Sequence, residues 1–239
     1  MKKLLMVAIC FHAILLAYAQ GFVNLKFESV DFITSPSQGF PFVTASNAIP
    51  GWTPYLGNFA QDYVASNGAS LGGPQVNIEG TNNPFAYPSV QGKYWILLQG
   101  AGIGSGHDSA GIGQTAQVPA SAQSILFWGS IFGSLDVSFN GNALPFAAAG
   151  TTANNYIIYQ ADISPYAGQI GELLFSAPFN ANAIIDNIQF SSTAVPEPAA
   201  LALMALGATL LFSRRKIVSC HQRQQPLRLH FRQRRHGES

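Results

Sequence analysis

The stretch from residue 20 to 195 has no cysteine: Cys10 and Cys220 both lie outside it. That excludes a disulfide, a thiol nucleophile and a cysteine-built metal site there. The stretch is also short of bases. Lys26 and Lys93 stand against nine acids, Glu28, Asp31, Asp62, Glu79, Asp108, Asp136, Asp162, Glu172 and Asp186, which leaves seven net negative charges. A surface of that sign argues against nucleic acid as a partner. The whole-chain value of +1 merely sums an acidic middle with basic ends. His107 is the only histidine of the middle, helical periodicity is scarce, and no Asn-x-Ser/Thr glycosylation acceptor occurs.

What is present is two targeting patterns around one domain, which a chain of 239 residues accommodates. Residues 1–19 read as a secretory signal peptide: Lys2 and Lys3, the apolar run Leu4 to Leu16, then Ala17-Tyr18-Ala19 as a small-residue cleavage site that puts the mature N-terminus at Gln20. Residues 20–194 are long enough for a sizeable core. With no disulfide, a core or a bound ion must supply their stability.

Short runs rich in β-branched and aromatic residues recur in this domain, separated by Gly, Pro, Asn and Ser. Strands are expected at Phe22–Phe27, Gln75–Glu79, Tyr94–Gln99, Gly113–Val118, Ser124–Gly129, Leu135–Asn140, Asn155–Gln160, Gly171–Ser176 and Ala183–Ser191. Asn140-Gly141 should turn a hairpin, because that pair takes positive φ readily. Ser35–Asn47 and Thr81–Lys93 read as loops. The expected fold class is all-β: an antiparallel β-sandwich of the jelly-roll kind, flanked by the signal peptide and a C-terminal transmembrane helix.

Catalytic constellations are poorly supported. His107-Asp108-Ser109 sits in the glycine-rich run 102–111, but adjacent residues in a loop do not supply triad geometry. Gly104-Ser105-Gly106 is only part of a nucleophile elbow, and the run lacks the Lys-Ser/Thr of a phosphate loop. No pair of carboxylates is singled out for glycoside hydrolysis. Trp52, Tyr55, Tyr63, Tyr87 and Tyr94 offer aromatic faces on which a sugar could stack. Trp52, after Pro50-Gly51, and Tyr55 are the candidate ligand-binding residues, against the alternative for Trp52 that jelly-roll tryptophans are more often core, while Trp95 and Trp128 fall in strand runs and read as core.

Three stretches together resemble galactose-binding-like jelly rolls, a fold shared by many carbohydrate-binding modules: Asn24-Leu25-Lys26-Phe27-Glu28, Ile49-Pro50-Gly51-Trp52 and Ile185-Asp186-Asn187-Ile188. The resemblance implies that Glu28 and Asp186 hold a structural calcium, with hard oxygen ligands completed by backbone carbonyls. The plain alternative is that each carboxylate accepts hydrogen bonds from nearby backbone N–H groups, and the sequence does not choose between them.

Residues 195–216 form the second targeting pattern. Pro196-Glu197-Pro198 precedes the uncharged run Ala199 to Phe212, and Ser213-Arg214-Arg215-Lys216 follows it. The run is apolar all round and would rise about 21 Å as a helix, short of the roughly 30 Å hydrocarbon core, with the basic cluster fitting the positive-inside rule. Pro196, Glu197, Pro198, Arg214 and Arg215 in that order resemble the PEP-CTERM sorting signal of exported bacterial proteins. The resemblance implies that an exosortase cuts near the motif, after signal peptidase has acted and while the helix holds the chain in the inner membrane. Gly113 to Pro119 together with Asp162 to Gln169 is similar to a recurrent group of such proteins with no assigned activity. Members usually end soon after the arginines. Here residues 217–239 continue as a basic tail, read as disordered and as the product of a displaced stop codon or a frameshift rather than as a nucleic-acid-binding arm.

The expectation is an exported surface or extracellular-matrix protein, sorted by an exosortase, with a non-enzymatic structural role. The alternatives are a carbohydrate-binding-module-like protein associated with exopolysaccharide and a hydrolase acting on extracellular polysaccharide.

Overall fold

The structure, a computed structural model, describes residues 21–31, 42–68, 73–81, 88–101 and 108–196. The chain divides into two compact units, Met1–Val195 and Pro196–Ser239, of which the second is described only at Pro196. The first unit is built of strands: β1 (Phe42–Thr44), β2 (Thr53–Leu56), β3 (Phe59–Ala60), β4 (Tyr63–Ser66), β5 (Gln75–Gly80), β6 (Tyr94–Gln99), β7 (Ala110–Gln117), β8 (Ser124–Phe132), β9 (Asp136–Phe139), β10 (Asn142–Ala143), β11 (Phe146–Thr151), β12 (Ile157–Asp162), β13 (Ile170–Ala177) and β14 (Asn182–Ser191). One turn of helix, α1 (Ala45–Ala48), follows β1.

The strands form two sheets. One has eight strands in the order β1-β4-β5-β6-β14-β8-β12-β11, the other six in the order β10-β9-β13-β7-β2-β3. The sheets share a core. Along β13, Leu173, Phe175 and Ala177 are buried while Glu172, Leu174 and Ser176 face outward, the period of two that one covered face requires. Phe175 meets Phe127 of the other sheet edge to face, with ring centroids 5.2 Å apart. β14 lies mid-sheet between β6 and β8, and its run Ala183 to Ile188 is buried throughout.

The all-β expectation holds, and the Asn140-Gly141 hairpin forms as expected, with φ of 49° and 75° at the two turn residues. Three expectations need correction. Residues 22–27 are not a strand: Asn24 and Phe27 take positive φ, the Phe27 N–H closes a turn on the Asn24 carbonyl at 3.2 Å, and Phe27 drops fully into the core. The run is apolar because it plugs the sandwich. Ser35–Asn47 is not all loop, since it holds β1 and part of α1. The sheets are not purely antiparallel either, because β4 and β5 pair in parallel.

Candidate functional site

Glu28 and Asp186 are brought to one place. Glu28 is exposed, and its Oε1 accepts from the N–H groups of Lys93 at 2.7 Å and Tyr94 at 3.2 Å. Asp186 is fully buried, and its carboxylate accepts from the N–H of Gln91 at 3.0 Å and of Asn187 at 2.6 Å. The chain reaches this geometry through a break in β14: the register shifts between Asp186 and Gln189, and Asn187 sits at φ 47°. Backbone pairing resumes at once, with Ile188 N–H donating to the Leu25 carbonyl at 2.8 Å.

Burial pushes the Asp186 carboxyl up to about 8. The N–H bonds from Asn187 and Gln91 and the charge of Lys26 oppose that rise, while Glu28 adds to it. Two more oxygens nearby are buried without a donor among the described residues: Oδ1 of Asn187, next in the chain, and Oε1 of Gln91, whose N–H binds Asp186. This donor set, a carboxylate with unpaired amide oxygens beside it and a second carboxylate in electrostatic range, suits a hard cation. Among the described residues no group of three or more His, Cys, Asp or Glu gathers, so a cation here would lean on Gln91, Asn187 and backbone carbonyls.

The two aromatic candidates separate. Trp52 is a core residue: it is 4% exposed, packs against Phe27 and Phe175 at centroid distances of 5.6 and 6.3 Å, and donates its indole N–H to the Asn24 carbonyl at 3.2 Å. Of the two readings of Trp52 the core one holds, because the loop that carries it folds inward. Tyr55 stays half-buried on β2, and its hydroxyl donates to Oε1 of Glu172 on β13 at 2.8 Å. Burial raises the Tyr55 pKa, and the hydrogen bond and charge of Glu172 raise it further. Nothing in the sequence marked Glu172, which lies 117 residues away. Tyr63 is exposed and Tyr94 half-buried, whereas Trp95 is buried in a small second cluster with Val90, Leu97, Tyr156 and Ile184, against which Trp128 packs.

Residues 17–20, Tyr87, His107 and everything after Pro196 lie outside the described residues, and with them the expected signal cleavage site, the expected transmembrane helix and the residues after it. Among the described residues no helix is long and apolar enough to cross a membrane.

The strongest feature is therefore the address. Residues 194–216 match the PEP-CTERM protein-sorting motif. The chain carries a PEP-CTERM sorting signal. It is accordingly an exported protein, held in the membrane before an exosortase processes it. The match ends at Lys216, just before the basic tail of residues 217–239. No curated protein and no solved structure matches this chain.

Proposed function

We propose that residues 20–194 are a non-enzymatic structural module of the cell surface or extracellular matrix, delivered there by the sorting signal. The observation that carries this is how the acids are used. Glu28, Asp186 and Asp162 all turn their carboxylates onto backbone N–H groups, those of Lys93 and Tyr94, of Gln91 and Asn187, and of Ser164. Such bonds join loops and strand ends, whereas a catalytic carboxylate has to reach a substrate proton. A galactose-binding-like jelly roll is part of the proposal. It is supported by the two shared-core sheets and by the meeting of the domain's first and last described segments, where the Phe22 and Phe190 rings lie 5.1 Å apart. A structural calcium at Glu28 and Asp186, completed by Gln91 and Asn187, belongs to the same proposal.

The test is an exchange. A host expressing the chain with residues 20–194 replaced by an unrelated β-sandwich, both signals intact, should form a matrix as weak under shear as that of a deletion strain. Unchanged cohesion, with loss of hydrolysis of the secreted polysaccharide, would favour the hydrolase.

A second reading, a carbohydrate-binding module associated with exopolysaccharide, is favoured by one observation: Tyr55 keeps part of its ring exposed although its hydroxyl is tied down by Glu172.

A further inference from the structure

We infer that the outer face of the six-stranded sheet carries a stacking platform for a neutral pyranose, made by Tyr55, Glu172 and Gly113; the inference rests on the carbohydrate-binding reading. On β2, Pro54 is buried, whereas Thr53 is exposed and Tyr55 half-buried, as alternation dictates. β7 runs between β2 and β13. Its outward positions opposite Tyr55 and Thr53 are Gly111 and Gly113, so the strand has no side chain there. Into that gap Tyr55 leans from one side and Glu172 from the other. A Cβ placed on Gly113 would lie 3.0 Å from Cε2 of Tyr55 and 2.6 Å from Oε1 of Glu172. Cε2 of the ring therefore comes over Gly113, so the ring crosses the bare strand, and its hydroxyl is anchored at 2.8 Å.

A ring laid down and anchored before a ligand arrives loses little rotamer freedom on binding. Its outward face suits a flat apolar surface, and its surroundings suit hydroxyl groups. Oε2 of Glu172 takes no hydrogen bond among the described residues and is free to accept. Thr115, opposite Glu172, and Thr53, opposite Gly113, are exposed. Ser176, opposite Gly111, is half-buried. A pyranose combines a C–H face with a rim of hydroxyls. A uronate or sulfated sugar would meet Glu172, and Asp136 opposite Ser176, on a domain with seven net negative charges, so the ligand is neutral.

Affinity electrophoresis of the full chain in detergent tests this, in gels containing soluble β-glucan, galactomannan or dextran, with alginate as the uronate. The expected result is retardation by at least one neutral polymer and none by alginate. Tyr55→Ala should weaken it about tenfold or more, as when a stacking aromatic is truncated. Tyr55→Phe, which keeps the ring and the fold but loses the anchor, should weaken it less than Tyr55→Ala. Retardation that survives Tyr55→Ala unchanged overturns the platform and leaves the carbohydrate-binding reading standing. Retardation by alginate alone overturns the neutral class. Retardation in no gel overturns both the platform and the reading beneath it.

Discussion

Glu28 and Asp186 hold the same loop from opposite ends of the domain. Asp186 takes the Gln91 N–H at 3.0 Å, and Glu28 takes those of Lys93 and Tyr94 at 2.7 and 3.2 Å. The Lys93 carbonyl pairs with the Thr81 N–H at 3.1 Å, whereas the N–H groups of Gln91 and Lys93 take side-chain acceptors instead of backbone ones. Two carboxylates, one ahead of the fourteen strands of the described residues and one inside the last of them, supply acceptors there. In a domain without disulfides this ties the termini to the middle of the chain.

Stability should depend on pH through Asp186. Its carboxyl titrates near 8 in the fold against 3.8 as a free side chain. Between those values the folded chain keeps a proton that the unfolded chain has released, so stability falls as pH rises through that window and levels off above it. A bound calcium would hold Asp186 ionised and remove much of this fall, and it would stabilise the fold by about 2.7 kcal/mol at a hundred times its dissociation constant. Urea midpoints of the full chain from pH 5 to 8, with calcium or with chelator, check both statements. Asp186→Asn should flatten the dependence in chelator. Identical wild-type midpoints at pH 8 with and without calcium would eliminate the ion.

Gly92 should not tolerate a side chain. It sits at φ 66°, and a Cβ there would run into the Glu28 carboxylate. Gly92→Ala combines backbone strain with displacement of the Glu28 oxygen from two N–H groups, an expected loss of about 2 kcal/mol. The denaturation midpoint measures it. In a Glu28→Ala background the same substitution should cost less, because the collision is gone and the strain remains.

Export should leave Gln20 at the N-terminus. Ala17 and Ala19 are the small residues that signal peptidase accepts. Edman sequencing of the exported form that began more than a few residues away would reject this cleavage site.

Sorting should depend on Glu197. The match to the sorting motif spans residues 194–216, and Glu197 is the central residue of its Pro-Glu-Pro. Glu197→Ala in an exosortase-bearing host should leave the chain uncut in the inner membrane. Normal processing of that variant would mean that the residue is not read.

The sequence by itself determined where this protein goes and the class of its fold. An address is read locally, as a few residues in order, so the motif could be recognised without any tertiary contact. Strand character is local as well: Tyr94–Gln99 is β6 to the residue, and the Asn140-Gly141 turn needed only its own φ preferences. Contacts between distant segments were decided by the tertiary structure alone. Residues 22–27 have a strand's composition, but they turn instead of pairing because the Phe27 ring packs into the core with Phe22 and Leu25 against it. For Trp52 the sequence left ligand face and core open, and it is buried because the side chains around it come from elsewhere in the chain. Glu28 and Asp186 could be paired in advance only through a resemblance. The loop they both bind became visible once β14 was broken at Asn187 and aimed at Gln91. Tyr55 could be named as an aromatic, but its partner Glu172 and the bare strand between them follow from register, which places residues 117 apart in sequence within one hydrogen bond.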